Sequence, residues 1–305
     1  ITMGGATFNA GDWATYTSTT NVRSATSHTE VFKANRIKNG LNPNGVTYRE
    51  SCDSEVNPKS TPVIVGLDVT ASMGKVSFDI AQEGLNTLAK EIYDKKPISD
   101  PHIMFMGIGD VVTDDSPLQV TQFEAGFTPL TEQLLDLYIE QGGGGNGSES
   151  YTLPWYFASK HTKIDSMKKR GKKGYLFTIG DDAPNKILTK GQIESVLGYN
   201  PERDFTGKEL LTMVSRDYEV FHLHITRYNS DMVLNQWRDL LGERALKVTD
   251  HKKIPEIIVA TLQVLAGDDK DAIANGWSGD TSIVVKEAIK GLDNKAENNG
   301  LVNFD

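Results

Sequence analysis

The segment Val63-Ile64-Val65-Gly66-Leu67 constrains this chain more than any other. It is an unbroken apolar run that suits a strand buried on both faces of a sheet, and it ends on an acidic residue, Asp68. Such a strand needs a covering layer above and below, and the rest of the sequence supplies both. Residues 73–94 place Ile80, Leu85, Leu88, Ala89 and Ile92 near one helical face, closed by Lys95-Lys96-Pro97. Further buried strands are expected at 103–108, 175–179, 220–225 and 245–248, with helices near 129–140, 150–162, 207–216, 231–242 and 253–265. Residues 118–123 alternate as a sheet-edge strand does, and the Asp114-Asp115-Ser116-Pro117 turn before them predicts antiparallel pairing with 103–108. Strands alternating with helices predict an α/β fold: a doubly wound, mostly parallel six-stranded sheet flanked by helices. Residues 1–60, rich in Thr, Ser, Asn and Gly, read as an N-terminal extension of short strands and loops. Residues 61–266 form the α/β domain, and 267–305 a polar C-terminal tail with one helix near Ser282 to Leu292.

Composition narrows the function classes. The net charge of −9 opposes general attraction to nucleic acid or anionic lipid, whose phosphates draw on Lys and Arg, and it favours cations. No apolar run reaches the length of a membrane span. The single cysteine, Cys52, cannot form an internal disulfide and reads as an ordinary free thiol, consistent with a reducing compartment. Ile1-Thr2-Met3-Gly4-Gly5 lacks the basic and apolar regions of a secretory signal, so the expected location is cytoplasmic or within a virion-like assembly.

In a doubly wound sheet, ligands bind beyond the carboxyl ends of the strands, which directs attention to three loops. The first, Asp68-Val69-Thr70-Ala71-Ser72, carries a carboxylate and two hydroxyls at alternate positions, so they can converge on one point. Capping of the following helix is the plain alternative for the hydroxyls. The second, Gly142 to Ser150, has a glycine run that lets main chain approach a ligand closely, or that serves as a linker. The third, Ile179-Gly180-Asp181-Asp182, sets two carboxylates beyond a buried strand, where an Asp-rich turn is the alternative. Oxygen-only donors suit a hard cation with about six ligands, Mg²⁺ first, with Mn²⁺ or Ca²⁺ as alternatives.

In order and position these loops resemble the metal-ion-dependent adhesion site of von Willebrand factor A-type domains. The stretch from Val63 to Gly74 is similar to that family's first strand and Asp-x-Ser-x-Ser motif, with Thr70 in place of the first serine. The resemblance covers about residues 61–266. It implies a Rossmann-like fold in which Asp68, Thr70, Ser72 and Asp181 surround a divalent cation, some directly and some through water. The family often supplies a threonine from the second loop. Here Gly145 or Asn146 falls at that place, so Asn146 and Ser148 are the candidate second-loop donors. The glycine-rich loop is closest to an intracellular bacterial or phage-like subgroup, some of whose members work beside a separate AAA+ ATPase. This chain has no Gly-x-x-x-x-Gly-Lys-Ser/Thr motif of its own.

The implied function is a binding module with no catalytic residues, in which the cation captures an Asp or Glu of a protein partner. A second reading is a structural component of a homo-oligomer or phage-like particle. A third, a metal-dependent phosphohydrolase, rests on Asp68 and Asp181-Asp182 resembling haloacid dehalogenase phosphatases. Those enzymes need an acid/base Asp two residues after the nucleophile, and Thr70 stands there, a loss of roughly 10²–10⁴ in rate.

Other features favour structural readings. Asp110, ending a strand, reads as a turn aspartate ahead of an acceptor near the ion. His222 and His224 share a strand face but lack the further ligands of a zinc site. Lys168 to Lys173 falls at a helix end on the edge opposite the three loops and reads as a solvated turn. Trp13, Trp155, Trp237 and Trp277 show no periodic pattern and are assigned to packing.

Overall fold

The computed structural model describes residues 25–70, 73–140, 149–226 and 230–293. Six strands form the main sheet: β1 (Thr61–Asp68), β2 (Pro101–Ile108), β3 (Leu118–Val120), β4 (Gly174–Gly180), β5 (Tyr218–Ile225) and β6 (Ala245–Val248). Their spatial order is β6-β5-β4-β1-β2-β3, with every pair parallel except β2 and β3, which are antiparallel as expected. The chain winds outward from β1 in one direction, then crosses back to β4 and winds outward in the other. The topological switch point therefore lies between β1 and β4.

Strand periodicity divides the apolar residues between two cores. Val63, Val65 and Leu67 of β1, Ile103 and Phe105 of β2, and Phe177 and Ile179 of β4 face one side. Ile64, Met104, Met106 and Leu176 face the other. On the first side the sheet is covered by helices Gly74–Asp79, Leu85–Lys95, Phe127–Leu135 and Ile254–Ala266. On the second it is covered by Thr152–His161, Lys190–Leu197, Gly207–Val214 and Ser230–Leu241. Both sets of alternate side chains are removed from water, at about 1.5–3 kcal/mol for each large apolar side chain, which is why β1 has no polar face to read in the sequence.

Several elements differ from the sequence expectations. The helix expected over 129–140 ends at Leu135. Beyond it, Gln119 of β3 clamps the backbone of Tyr138, accepting from its N–H at 2.8 Å and donating to its carbonyl at 2.8 Å, so a side-chain amide replaces the helical hydrogen bonds. The helix after β1 contains a π-helical turn, Ile80–Gly84. A helix not anticipated, Lys190–Leu197, opens on a capping box of Thr189 and Gln192. Beyond Gly267 there are two helices, Lys270–Asn275 and Asp280–Ile289, and Val285, Ala288 and Ile289 join the first core. At the other end of the chain, Arg49–Ser51 pairs in parallel with Thr162–Ile164, and Val31, Phe32 and Leu41 also reach the first core. Among the described residues no helix is long and apolar enough to cross a membrane.

Candidate metal centre

The carboxyl ends of β1 and β4 meet at the switch point. Leu67 pairs with Ile179 across them, so Asp68 lies beside Gly180 and one residue from Asp181. On the other flank Asp68 pairs with Ile108, the last residue of β2, and Asp110 follows two positions on. Strand register alone thus gathers Asp68, Asp110 and Asp181 at one crevice, as adjacent strands are about 4.8 Å apart.

Asp68 is 1% exposed, and both of its oxygens are engaged. Oδ1 accepts from the backbone N–H of Thr70 at 3.0 Å and from the Thr70 hydroxyl at 2.6 Å. Oδ2 accepts from the Tyr151 hydroxyl at 2.8 Å. The Tyr151 oxygen in turn accepts from the backbone N–H of Asp182 at 3.4 Å, so one phenol joins the β1 loop to the β4 loop. That crossing requires glycine at 180, because a Cβ there would lie 1.9 Å from the Tyr151 oxygen. A stacked pair supports the phenol: His222 lies flat on Trp237, with ring centroids 3.6 Å apart, and both rings meet Tyr151 edge-on. The Trp237 indole N–H donates to the Asp182 carbonyl at 2.9 Å, which fixes the third loop from below.

The segment after the glycine run is pinned to the end of β2. The Ser150 N–H donates to the Gly109 carbonyl at 3.1 Å, and the Ser150 hydroxyl oxygen accepts from the Val111 N–H at 2.9 Å. Glu149 is carried into the crevice by this anchor. It is 2% exposed, and its Oε2 has no hydrogen-bond partner. Asp110 makes a turn of its own, Oδ1 accepting from the Val112 N–H at 3.2 Å and Oδ2 from the Thr113 hydroxyl at 2.9 Å.

Electrostatics follow from crowding acids in a dry crevice. Burial, reinforced by the charge of Asp181, pushes the Asp68 carboxyl up to about 7 against the opposing hydrogen bonds from Thr70 and Tyr151. Burial pushes Glu149 to about 9, with Asp68, Asp114, Asp110 and Asp182 adding in the same direction. Burial, with Asp68 and Asp181, also holds the Tyr151 phenol well above its usual range, so it acts as a neutral donor.

Of the candidate donors read from the sequence, Asp68 and Thr70 are in direct contact and Asp181 is beside them. Ser72, Asn146 and Ser148 lie outside the described residues. The sequence reasoning missed Glu149 and Tyr151. Their signal was position: Glu149 lies within the second loop and Tyr151 directly after it, and Glu149 would be an acid entering a crevice lined by acids. Among the described residues no three or more His, Cys, Asp or Glu side chains are placed to hold a metal ion by themselves, so any ion here must also draw on hydroxyls or water. His222 and His224 are buried in the sheet, with Thr178 sharing a 2.9 Å hydrogen bond with the His222 Nδ1. Lys169 and Arg170 pair with Asp165 and Asp53 at the opposite edge.

Fold and site together define a class: a doubly wound α/β domain with a carboxylate-lined crevice at its switch point. No family model and no curated protein matches the chain. Among solved structures it is similar to the pilus adhesin SpaC from Lactobacillus rhamnosus GG in its open conformation, at 12% identity and a TM-score of 0.45, over 75% of this chain and 31% of the adhesin. It is also similar to a von Willebrand factor type A protein from Catenulispora acidiphila, at 10% identity and a TM-score of 0.37, over 69% of this chain and 44% of that one. BatB from Bacteroides thetaiotaomicron, a conserved hypothetical protein, is similar at 13% identity and a TM-score of 0.36, over 65% of this chain and 95% of that one. The chain thus spans well under half of the adhesin.

Proposed function

We propose that this chain is a von Willebrand factor A-type module that holds a divalent cation at the switch-point crevice and captures a protein partner through it. One observation carries the reading: Asp68 and Thr70 are in direct contact at the end of β1, the end of β4 that leads into Asp181 lies alongside, and the buried Glu149 that follows the glycine run has a carboxylate oxygen with no partner. The donor chemistry fits a hard ion. All the side chains are oxygen donors, and Thr70, by directing its O–H to Asp68, leaves its oxygen lone pairs available to an ion. Asp181 continues the same edge, and Ser72 completes the motif in sequence. A bound Mg²⁺ or Mn²⁺ would neutralise the crowded carboxylates and leave a coordination position for an Asp or Glu of the partner.

What the chain's own residues contribute is order. Tyr151 holds the Asp68 carboxylate in one orientation, and Trp237 and Gly180 fix the loop that carries Asp181. The test is Mg²⁺ titration of the wild-type protein and of Asp68→Ala, followed by thermal melting and by partner capture with and without chelator. Mg²⁺ at a hundredfold excess over Kd should stabilise the wild type by about 2.7 kcal/mol and leave the variant unmoved. Partner capture that persists in chelator would refute metal-dependent recognition.

A further inference from the structure

We propose that Glu149 is the side chain through which the second loop holds the cation, an inference that rests on the metal-dependent reading above. Sequence comparison with the resembling family directs attention to positions 146 and 148, within the glycine-rich stretch itself. The structure points one residue further on.

Three observations converge on Glu149. Its backbone is locked, because Ser150 is tied to Gly109 and Val111 at the end of β2, and Tyr151, two residues on, is tied to Asp68 at the end of β1. Its side chain is 2% exposed, so water does not solvate the carboxylate, and Oε2 has no hydrogen-bond partner. The charges acting on it are those of carboxylates, Asp68 first, then Asp114, Asp110 and Asp182. A buried acid normally finds a donor or a cationic side chain, since an unsatisfied buried polar atom costs about 1–3 kcal/mol and a charge more. Protonation removes the charge of Glu149 but supplies no counter-charge to the acids around it. A hard cation shared with Asp68 satisfies both demands, giving the oxygen a partner and the acids a counter-charge. Two carboxylates facing one ion also bind it more tightly than the one carboxylate and hydroxyls of the sequence motif.

The experiment uses the full chain stripped with chelator and titrated with Mn²⁺ alone, free ion being read by electron paramagnetic resonance. Wild type is compared with Glu149→Gln, Asn146→Ala, Ser148→Ala and Asp68→Asn. Glu149→Gln should weaken Mn²⁺ binding roughly tenfold or more. Its melting temperature in chelator at neutral pH should stay close to that of wild type, because the amide matches the neutral acid in size and charge; that second readout separates a lost ligand from a lost fold. Asn146→Ala and Ser148→Ala should bind nearly as wild type. If Glu149→Gln binds Mn²⁺ normally while Asp68→Asn does not, the assignment of Glu149 is overturned and the metal site stands. If wild type fails to bind Mn²⁺, both are overturned.

Discussion

Tyr151 shows how much a single side chain settles at this site. It donates to Asp68, accepts from the Asp182 N–H, and lies so close over Gly180 that no larger residue fits beneath it. Gly180→Ala should therefore displace the phenol, with a destabilisation of about 1–3 kcal/mol from overpacking in a filled core. Because the lost contact orients Asp68, cation affinity should fall as well. Denaturant melts and Mn²⁺ titration check the two effects separately, and Tyr151→Phe, which keeps the volume, should lower affinity with little strain. Asp68, Thr70 and Asp181 were legible in the sequence because each stands directly after a strand or in a strand-to-helix turn. Tyr151 was not. An aromatic near the start of an apolar helix reads as core, and only the fold shows its hydroxyl reaching across to β1.

Among the elements, the strands were the most legible. Each apolar run of the main sheet is a strand at the expected place, since burial on both faces leaves a continuous signal. Helices depended on what they met. Lys190–Leu197 was missed although Thr189-x-x-Gln192 is a capping-box signature, and the same device, Thr206 with Glu209, opens Gly207–Val214. Replacing Thr206 with Ala should cost about 1 kcal/mol in thermal or chemical unfolding, the usual contribution of a helix cap. The early end of Phe127–Leu135 was beyond sequence reasoning, because residues 136–140 continue plausibly as helix. The Gln119 clamp on Tyr138 comes from another strand and wins by satisfying both backbone groups at once. Likewise the tail helices fold down because Val285, Ala288 and Ile289 find an apolar surface on Ile254–Ala266, a helix apolar on most of its circumference.

For the molecule as a whole, charge is segregated between the two edges of the sheet. At the amino-terminal edge Asp53 is paired: although burial opposes it, hydrogen bonds from Arg170 and Ser60 hold its carboxyl well below the usual range. That pair contributes stability above the ordinary carboxylate range and loses it only in strong acid. The carboxyl edge has the opposite sign. Asp68 and Glu149 have folded values raised to about 7 and about 9, so the native state binds more protons than the unfolded chain above about pH 4. In chelator, stability should be greatest near the acid side of that window and fall as pH rises through about 7 and on toward about 9. Saturating Mg²⁺ should reduce or abolish the fall by replacing those protons; melting curves at several pH values with and without the ion check this, and a chelated protein that gains stability with pH would contradict it. The sequence by itself determined the architecture and two of the three loops' leading acids, Asp68 and Asp181, because burial periodicity and strand-end position are local, additive signals. Which acids share a crevice, that Glu149 enters it without a partner, and that Tyr151 holds Asp68 were decided only by tertiary structure, since each depends on the parallel register of β4, β1 and β2 bringing distant residues within hydrogen-bond reach.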